Sequence, residues 1–310
     1  MAITGTGITG DPYLVHNYSE IKEACARTPQ NGRMVYVSLM NDIDCNSYGN
    51  DWEWETVTLG VNVNYGTNFD LNGHTIKNVM IKQGNSLFKG FCFNNRSILK
   101  NGKILNVFGN NHKHIFEHSN NSSGNYWLIQ NISLSIDNTS GTDVAFCYTK
   151  FENCAIYFVT NNLLSHLSIS YGANYQYKNC DCYFEIKNRT YTLFYDAGYN
   201  NNTFDNCRVI AKVKGLGDGK NNDVFFRQGT AGFTNCVVDV TGYTASDDYS
   251  FFNSGCTGVL NKEHFGIGDS QESATHNYSS LYGLTAVTTE EMETGNSLRE
   301  KGFVVVNVNE

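Results

Sequence analysis

Charge is scarce in this chain: Asp, Glu, Lys and Arg make up 17% of 310 residues, and they leave a net charge of −8 with a pI near 5.5. No run of Lys and Arg interrupts that acidity, so there is no basic field from which a nucleic acid could release counterions, and no nucleic-acid partner is expected. Apolar runs are short, far below the roughly 20 residues a membrane-crossing helix needs. Residues 1–7 carry neither a charged segment nor an apolar one. A secretory signal is therefore not expected, and the expectation is of a chain made and folded in a cytoplasm with its thiols free. The ten cysteines include no Cys-x-x-Cys pair, which argues against a structural metal or a redox motif. Residues 215–220, rich in glycine, lack both the phosphate-loop spacing and a following helix, and no Gly-x-Ser-x-Gly occurs. Helical periodicity is missing through most of the chain, and proline occurs only twice.

What the chain has in quantity is aromatic rings, with 19 Tyr and 19 Phe, and a phrase that repeats. Phe151-Glu-Asn153-Cys154, Tyr177-Lys-Asn179-Cys180, Phe204-Asp-Asn206-Cys207 and Phe233-Thr-Asn235-Cys236 share the form aromatic-x-Asn-Cys. Each leads into an alternating apolar run. The asparagines lie 26, 27 and 29 residues apart, a period that marks solenoids and arrays. Asn72, Asn101 and Asn131 fill the same slot earlier in the chain, with Gly102 standing where later copies have cysteine.

A second series runs out of phase with the first: Leu87-Phe88, Ile115-Phe116, Ala145-Phe146, Leu193-Phe194, Phe225-Phe226 and Phe251-Phe252. Each repeat thus holds at least two short strands, with Gly, Asn, Ser and Asp at the joints. A solenoid of strands is a parallel β-helix, and the crossover rule selects a right-handed turn. The expected fold is all-β, with eight or nine coils forming a rod on the order of 40 Å long at one strand spacing per coil.

Asparagine tolerates left-handed backbone at a tight corner, and its amide can bond the same amide one coil away. Asn153, Asn179, Asn206 and Asn235 are therefore expected to stack as a ladder, with Cys154, Cys180, Cys207 and Cys236 packed inside as small apolar groups. Short helices are expected to cover both ends of the rod, since an open coil presents unpaired strand edges. At the first end the helix begins near Ser19, taken as its N-cap, although Lys22 stands where a capping box wants an acid. At the second, Thr288 and Glu291 form a capping box and Gly302 a C-cap, before a final strand over residues 303–308. The domains are accordingly 1–32 (extended segment and cap), 33–265 (β-helix) and 266–310 (cap or assembly element). Uneven spacing of the slots predicts loops at 110–125, 215–222 and 242–248, gathered on one face.

Asp11-Pro-Tyr-Leu-Val15, then a short helix, then Leu39-x-x-Asp-Ile-Asp44 and Asn72-Gly-His-Thr-Ile76 resemble the opening region of right-handed parallel β-helix proteins of bacteriophage particles and of bacterial adhesins with glycine-rich coils. The likeness is close over roughly the first 110 residues and thereafter one of rhythm. It implies a life of surface attachment: a virion component such as a capsid decoration, head fibre or tail-associated receptor binder, with other virion proteins and copies of itself as partners, a trimer being favoured. No cofactor is implied.

Chemistry on such a rod would sit on an outer face. Glycan cleavage needs two carboxylates facing each other, and Asp181, Glu185, Asp205, Asp223 and Asp239 are the candidates for a tailspike-type depolymerase; against this, a polar residue in the slot before each asparagine describes a solvated face. His112 and His114 are two apart and could hold a metal only weakly. Tyr175, Tyr177, Tyr191, Tyr195 and Tyr199, amid Asn, Ser and Thr, suit stacking on sugar rings. Filling an amphipathic strand would use them equally well. The function expected is attachment to host surface glycans without chemistry.

Overall fold

The computed structural model describes residues 3–30, 32–60, 65–90, 97–110, 114–118, 127–171, 176–187, 192–195, 203–213, 224–227, 232–241, 256–261, 263–264 and 284–293. Every pairing between its named strands is parallel, and strands account for 62% of it: the chain is a parallel β-helix. Three faces alternate along the sequence. On the first, register runs Tyr13, Val37, Phe69, Leu99, Ile129, Phe151, Tyr177, Phe204, Phe233, nine rungs in all. On the second it runs Ile43, Ile76, Ile104, Leu134, Ile156, Cys182, Val209, Val238, Leu260, Ala286, or ten. The third has seven, from Val57 through Phe88, Phe116, Phe146, Ser170 and Phe194 to Phe226. The solenoid therefore makes about six turns with all three faces in strand, and the expected eight or nine coils are reached only where the first two faces run on.

The corner between the first and second faces is where the asparagines sit. Asn72, Asn101, Asn131, Asn153, Asn179, Asn206 and Asn235 all have φ between 50° and 58°, the left-handed region in which asparagine is favoured among residues with a side chain. From Asn131 to Asn235 each Nδ2 donates to the Oδ1 of the asparagine one coil earlier, over 2.8–3.2 Å. At the first step Asn101 donates instead to Asp70, at 3.2 and 3.1 Å. A shorter second column, not foreseen from the sequence, links Asn106 to Asn78 (2.6 Å) and Asn78 to Asp44 (2.8 Å).

Each cysteine after the asparagine points inward and is buried. Its thiol does more than fill space: Cys154, Cys180, Cys207 and Cys236 each donate to the carbonyl two residues back, at 3.2–3.3 Å, closing the corner from inside. Burial raises the thiols of Cys154, Cys180, Cys182 and Cys207 well above their ordinary value, and the nine described cysteines are all buried, with no disulfide among them. Since the thiolate is the reactive species, a thiol reagent should leave these nine unmodified until denaturant is added. Rapid labelling of several in the native state, read by mass spectrometry, would contradict this packing.

Aromatic rings stack along the first face: Phe151 on Tyr177 at 5.0 Å, Tyr177 on Phe204 at 4.5 Å and Phe204 on Phe233 at 5.2 Å between centroids. The out-of-phase series supplies the third face, with Phe88 on Phe116 at 6.3 Å and Phe116 on Phe146 at 5.7 Å. The sequence expectation of a loop over 110–125 is thereby corrected in part, because His114–His118 is a strand on this face. The 215–222 and 242–248 segments lie outside the described residues.

Helix α1 (Tyr18–Cys25) covers the first coil, as expected, but its N-cap is Asn17 rather than Ser19. Asn17 Oδ1 accepts from the Glu20 N–H at 3.0 Å, while Glu20 takes the Asn17 side-chain amide and the His16 N–H. This resembles a capping box two residues earlier than the sequence reading placed the cap, with Glu20 reaching back to the N–H of His16 in place of that of the N-cap itself. The strand ladder also begins before the helix, with Tyr13–Val15 already paired to Met34–Leu39. Helix α2 (Thr289–Glu293) follows the last rung, and Thr288 accepts the Met292 N–H at 3.1 Å as a first-turn carbonyl should. Gly302 and residues 303–308 lie outside the described residues.

Candidate functional site

The alternation of a strand sends every second residue outward, so the outer wall is read from the residues between the core positions. On the second face Tyr157 and Tyr183 are outward, adjacent in register and stacked 5.0 Å apart with planes 9° from parallel. Lys212, one coil further, lies over the Tyr183 ring at 5.5 Å. The Tyr183 hydroxyl donates to Glu185 at 2.6 Å. Burial, then that carboxylate, raises the phenol above its usual range. Neither tyrosine was singled out from the sequence, although both stand four residues after the slot asparagine, a regularity that could have found them.

Of the tyrosines that were singled out, Tyr177 is wholly buried. It is the aromatic of the repeated phrase, so it occupies the ring stack of the core, and its proposed contact with sugar is corrected on that ground. Tyr175, Tyr191 and Tyr199 lie outside the described residues. Tyr195 belongs to the strand Thr192–Tyr195 of the third face, in register with Tyr171 and Arg227. His112 is likewise outside the described residues, and His114 opens the strand that pairs with Ser86. Among the described residues no group of three or more His, Cys, Asp or Glu is placed to hold a metal ion.

The described candidate carboxylates do not stand opposite one another in register. Asp181 stands in register with Ala155 and Arg208, Glu185 with Val159 and Lys212, Asp205 with Lys178 and Thr234, and Asp239 with Ile210. Asp239 is instead held by His264 at 2.8 Å and by Asn261 at 3.4 Å. Asp223 lies outside the described residues. Asp181 is buried and takes a two-pronged bond from Arg208, Nε to Oδ1 at 2.6 Å and Nη2 to Oδ2 at 2.5 Å. Geometry of that kind orders a wall more than it prepares an acid or base.

Burial raises the Asp181 carboxyl above the ordinary carboxylate range, and Arg208 draws it back. A carboxyl raised in the folded state favours folding below its unfolded pKa and loses that favour as pH rises through the folded one. Removing Arg208 leaves the burial unopposed. Arg208→Ala is therefore expected to cost about 2–3 kcal/mol at neutral pH, somewhat under the value for a fully buried pair because Arg208 is partly exposed. Part of that loss should return on acidification toward about pH 4, as the raised carboxyl gains its proton. Urea midpoints at the two pH values check it; an equal deficit at both would make the cost one of packing.

A groove of about 470 Å³ opens on the same face nearer the first coils, lined by Glu53, Met80, Ile81, Gln83, Asn106, Phe108, Gly109 and Asp137. Met80 and Phe108 are in register on adjacent rungs. Asp137 is close enough to Tyr157 to add, after burial, to the raising of its phenol. Groove and tyrosine pair are thus neighbours along the rod.

A crystal structure of a protein from Bacteroides ovatus, described provisionally as an immunoglobulin A1 protease, superposes with a TM-score of 0.56 at 16% identity, covering 96% of this chain and 89% of that one. The two share a fold. No family model and no curated protein matches the chain.

Proposed function

We propose that this chain is a non-enzymatic attachment rod: a structural component of a bacteriophage particle, as capsid decoration, head fibre or tail-associated receptor binder, that contacts host surface glycans with its outer wall. The observation that carries the non-enzymatic part is the register of the four described candidate carboxylates, each set beside a cation or a neutral side chain in the neighbouring coil. Glycan cleavage wants two carboxyl groups across one bond. The described cysteines suit no nucleophile either, being buried. Glycan contact is supported by the outward tyrosine pair and the adjoining groove, and the place in a particle by the resemblance of the first 110 residues.

Purified host surface polysaccharide should retard the chain in affinity electrophoresis while releasing no product. New reducing ends or unsaturated uronates would replace this reading with a depolymerase. Mass spectrometry of purified particles tests the rest, and a particle lacking the chain would end the virion assignment. Light scattering during size-exclusion chromatography is expected to give a trimer.

A further inference from the structure

The groove on the second face has a composition that selects its ligand. Its floor is apolar: Met80 and Phe108 lie side by side on consecutive rungs, half-buried, with Ile81 and Gly109 behind them. Its ends are acidic and exposed. Glu53 comes from the segment whose Trp54 bridges to Ile81, and Asp137 from the coil after Phe108. Asn106 gives an amide N–H to Asn78 at 2.6 Å, which leaves its carbonyl oxygen as a further acceptor. Among the described residues that line the groove there is no Lys, Arg or His. The nearest cation along the chain, Lys82, is held by Glu55 at 2.8 Å and lies close enough to Glu53 to feel its charge.

An acceptor-rich, anionic rim around an apolar floor fits a ligand rich in donors that has one apolar face. A pyranose ring carrying an ammonium group is such a ligand: its C–H face lies on an aromatic ring, and its hydroxyls and ammonium donate to carboxylates. An extended peptide fits less well. The floor is made of side chains in the middle of a closed parallel ladder, so there is no strand edge to which a peptide backbone could add. From Glu53 to Asp137 the groove crosses four successive coils, about 14 Å at one strand spacing each, which suits an oligosaccharide lying along the rod.

We propose that this groove binds an amino-sugar segment of a surface glycan, with Phe108 beneath a sugar ring and Glu53 and Asp137 receiving its ammonium and hydroxyl donors. The inference rests on the reading of the chain as a glycan-contacting rod and adds the place and the sugar class. It predicts that acidic glycans, rich in uronate, are rejected by the two carboxylates and by the net charge of −8.

Titration calorimetry of the full chain with a glucosamine tetramer, its N-acetylated counterpart, a galacturonate tetramer and tetralysine tests it. The glucosamine tetramer should bind, the acetylated one about tenfold more weakly because the ammonium is gone, and the galacturonate not at all. Phe108→Ala, and separately Glu53→Gln with Asp137→Asn, should each weaken the glucosamine tetramer by about tenfold or more with the melting temperature unchanged. The proposal is overturned if the wild-type chain does not bind the glucosamine tetramer at millimolar concentration, if the double carboxylate variant binds as the wild type does, or if tetralysine binds equally well. Retention of host polysaccharide by the double variant at wild-type strength would remove the groove and leave the attachment rod standing; a wild-type chain that binds no glycan removes both.

Discussion

Truncating Phe204 to alanine is expected to lower the stability of the rod by about 3–5 kcal/mol. Its ring has no solvent exposure and lies between two others, Tyr177 on one side at 4.5 Å and 5° from parallel, Phe233 on the other at 5.2 Å. A cavity here cannot close by sliding one element, because the rungs on both sides are fixed by their own ladders. Each coil of a solenoid touches only its neighbours, so the damage should stay local. Hydrogen exchange is the decisive readout: amides near Tyr177 and Phe233 should lose protection while those around Val37 and Phe69 keep theirs. A loss below about 1 kcal/mol in denaturant unfolding would mean that the stack repacks freely, and the jigsaw account of this core would fall.

Gly102→Cys restores the repeated Asn-Cys phrase and is nonetheless expected to destabilise the protein by about 3 kcal/mol or more. A Cβ at Gly102 would come within 2.5 Å of the His74 carbonyl oxygen and 2.5 Å of the Leu71 Cβ. The neighbouring coil differs from the later ones at this corner: Leu71 precedes Asn72 and fills the interior there, so the thiol has no room. His74 cannot retreat, since its carbonyl accepts the Lys103 N–H at 3.1 Å. Comparison of thermal unfolding for this variant and the wild type is sufficient. A variant as stable as the parent would show that the phrase, and not the local packing, governs the corner.

The first corner was readable because its requirement is stereochemical and repeats. A left-handed residue at this corner of each coil leaves asparagine at seven slots, although Asn78 and Asn106 of the second column share the conformation at a spacing of 28 residues. Capping was less readable: Ser19 and Asn17 both suit an N-cap, and only the position of Glu20, three residues after Asn17, selects between them. Tyr177 was misjudged because an aromatic residue looks the same in sequence whether its strand turns it inward or outward. What decides is its place two residues before the asparagine, the buried place in all four copies. The third face was partly hidden since the stretches of sequence between its strands differ in length. Groove-forming residues such as Glu53 and Asp137 come from different coils and share no pattern; only the stacking of rungs brings them together.

The two asparagine columns also have a direction. Every amide in them gives its N–H toward the first coil and its oxygen toward the last, so their small dipoles align and polarise one another as peptide units do in an α-helix. The positive end of each row meets a carboxylate, Asp70 for the long one and Asp44 for the short, as acidic side chains meet a helix N-terminus. Outside the long row's other end stands Thr257, whose hydroxyl accepts the Asn235 backbone N–H at 2.7 Å. The rod is electrically asymmetric along its axis. A new coil spliced between Asn101 and Asn235 would join the row without disturbing its counter-charge, whereas one spliced between Asp70 and Asn101 would separate the row from the anion that terminates it.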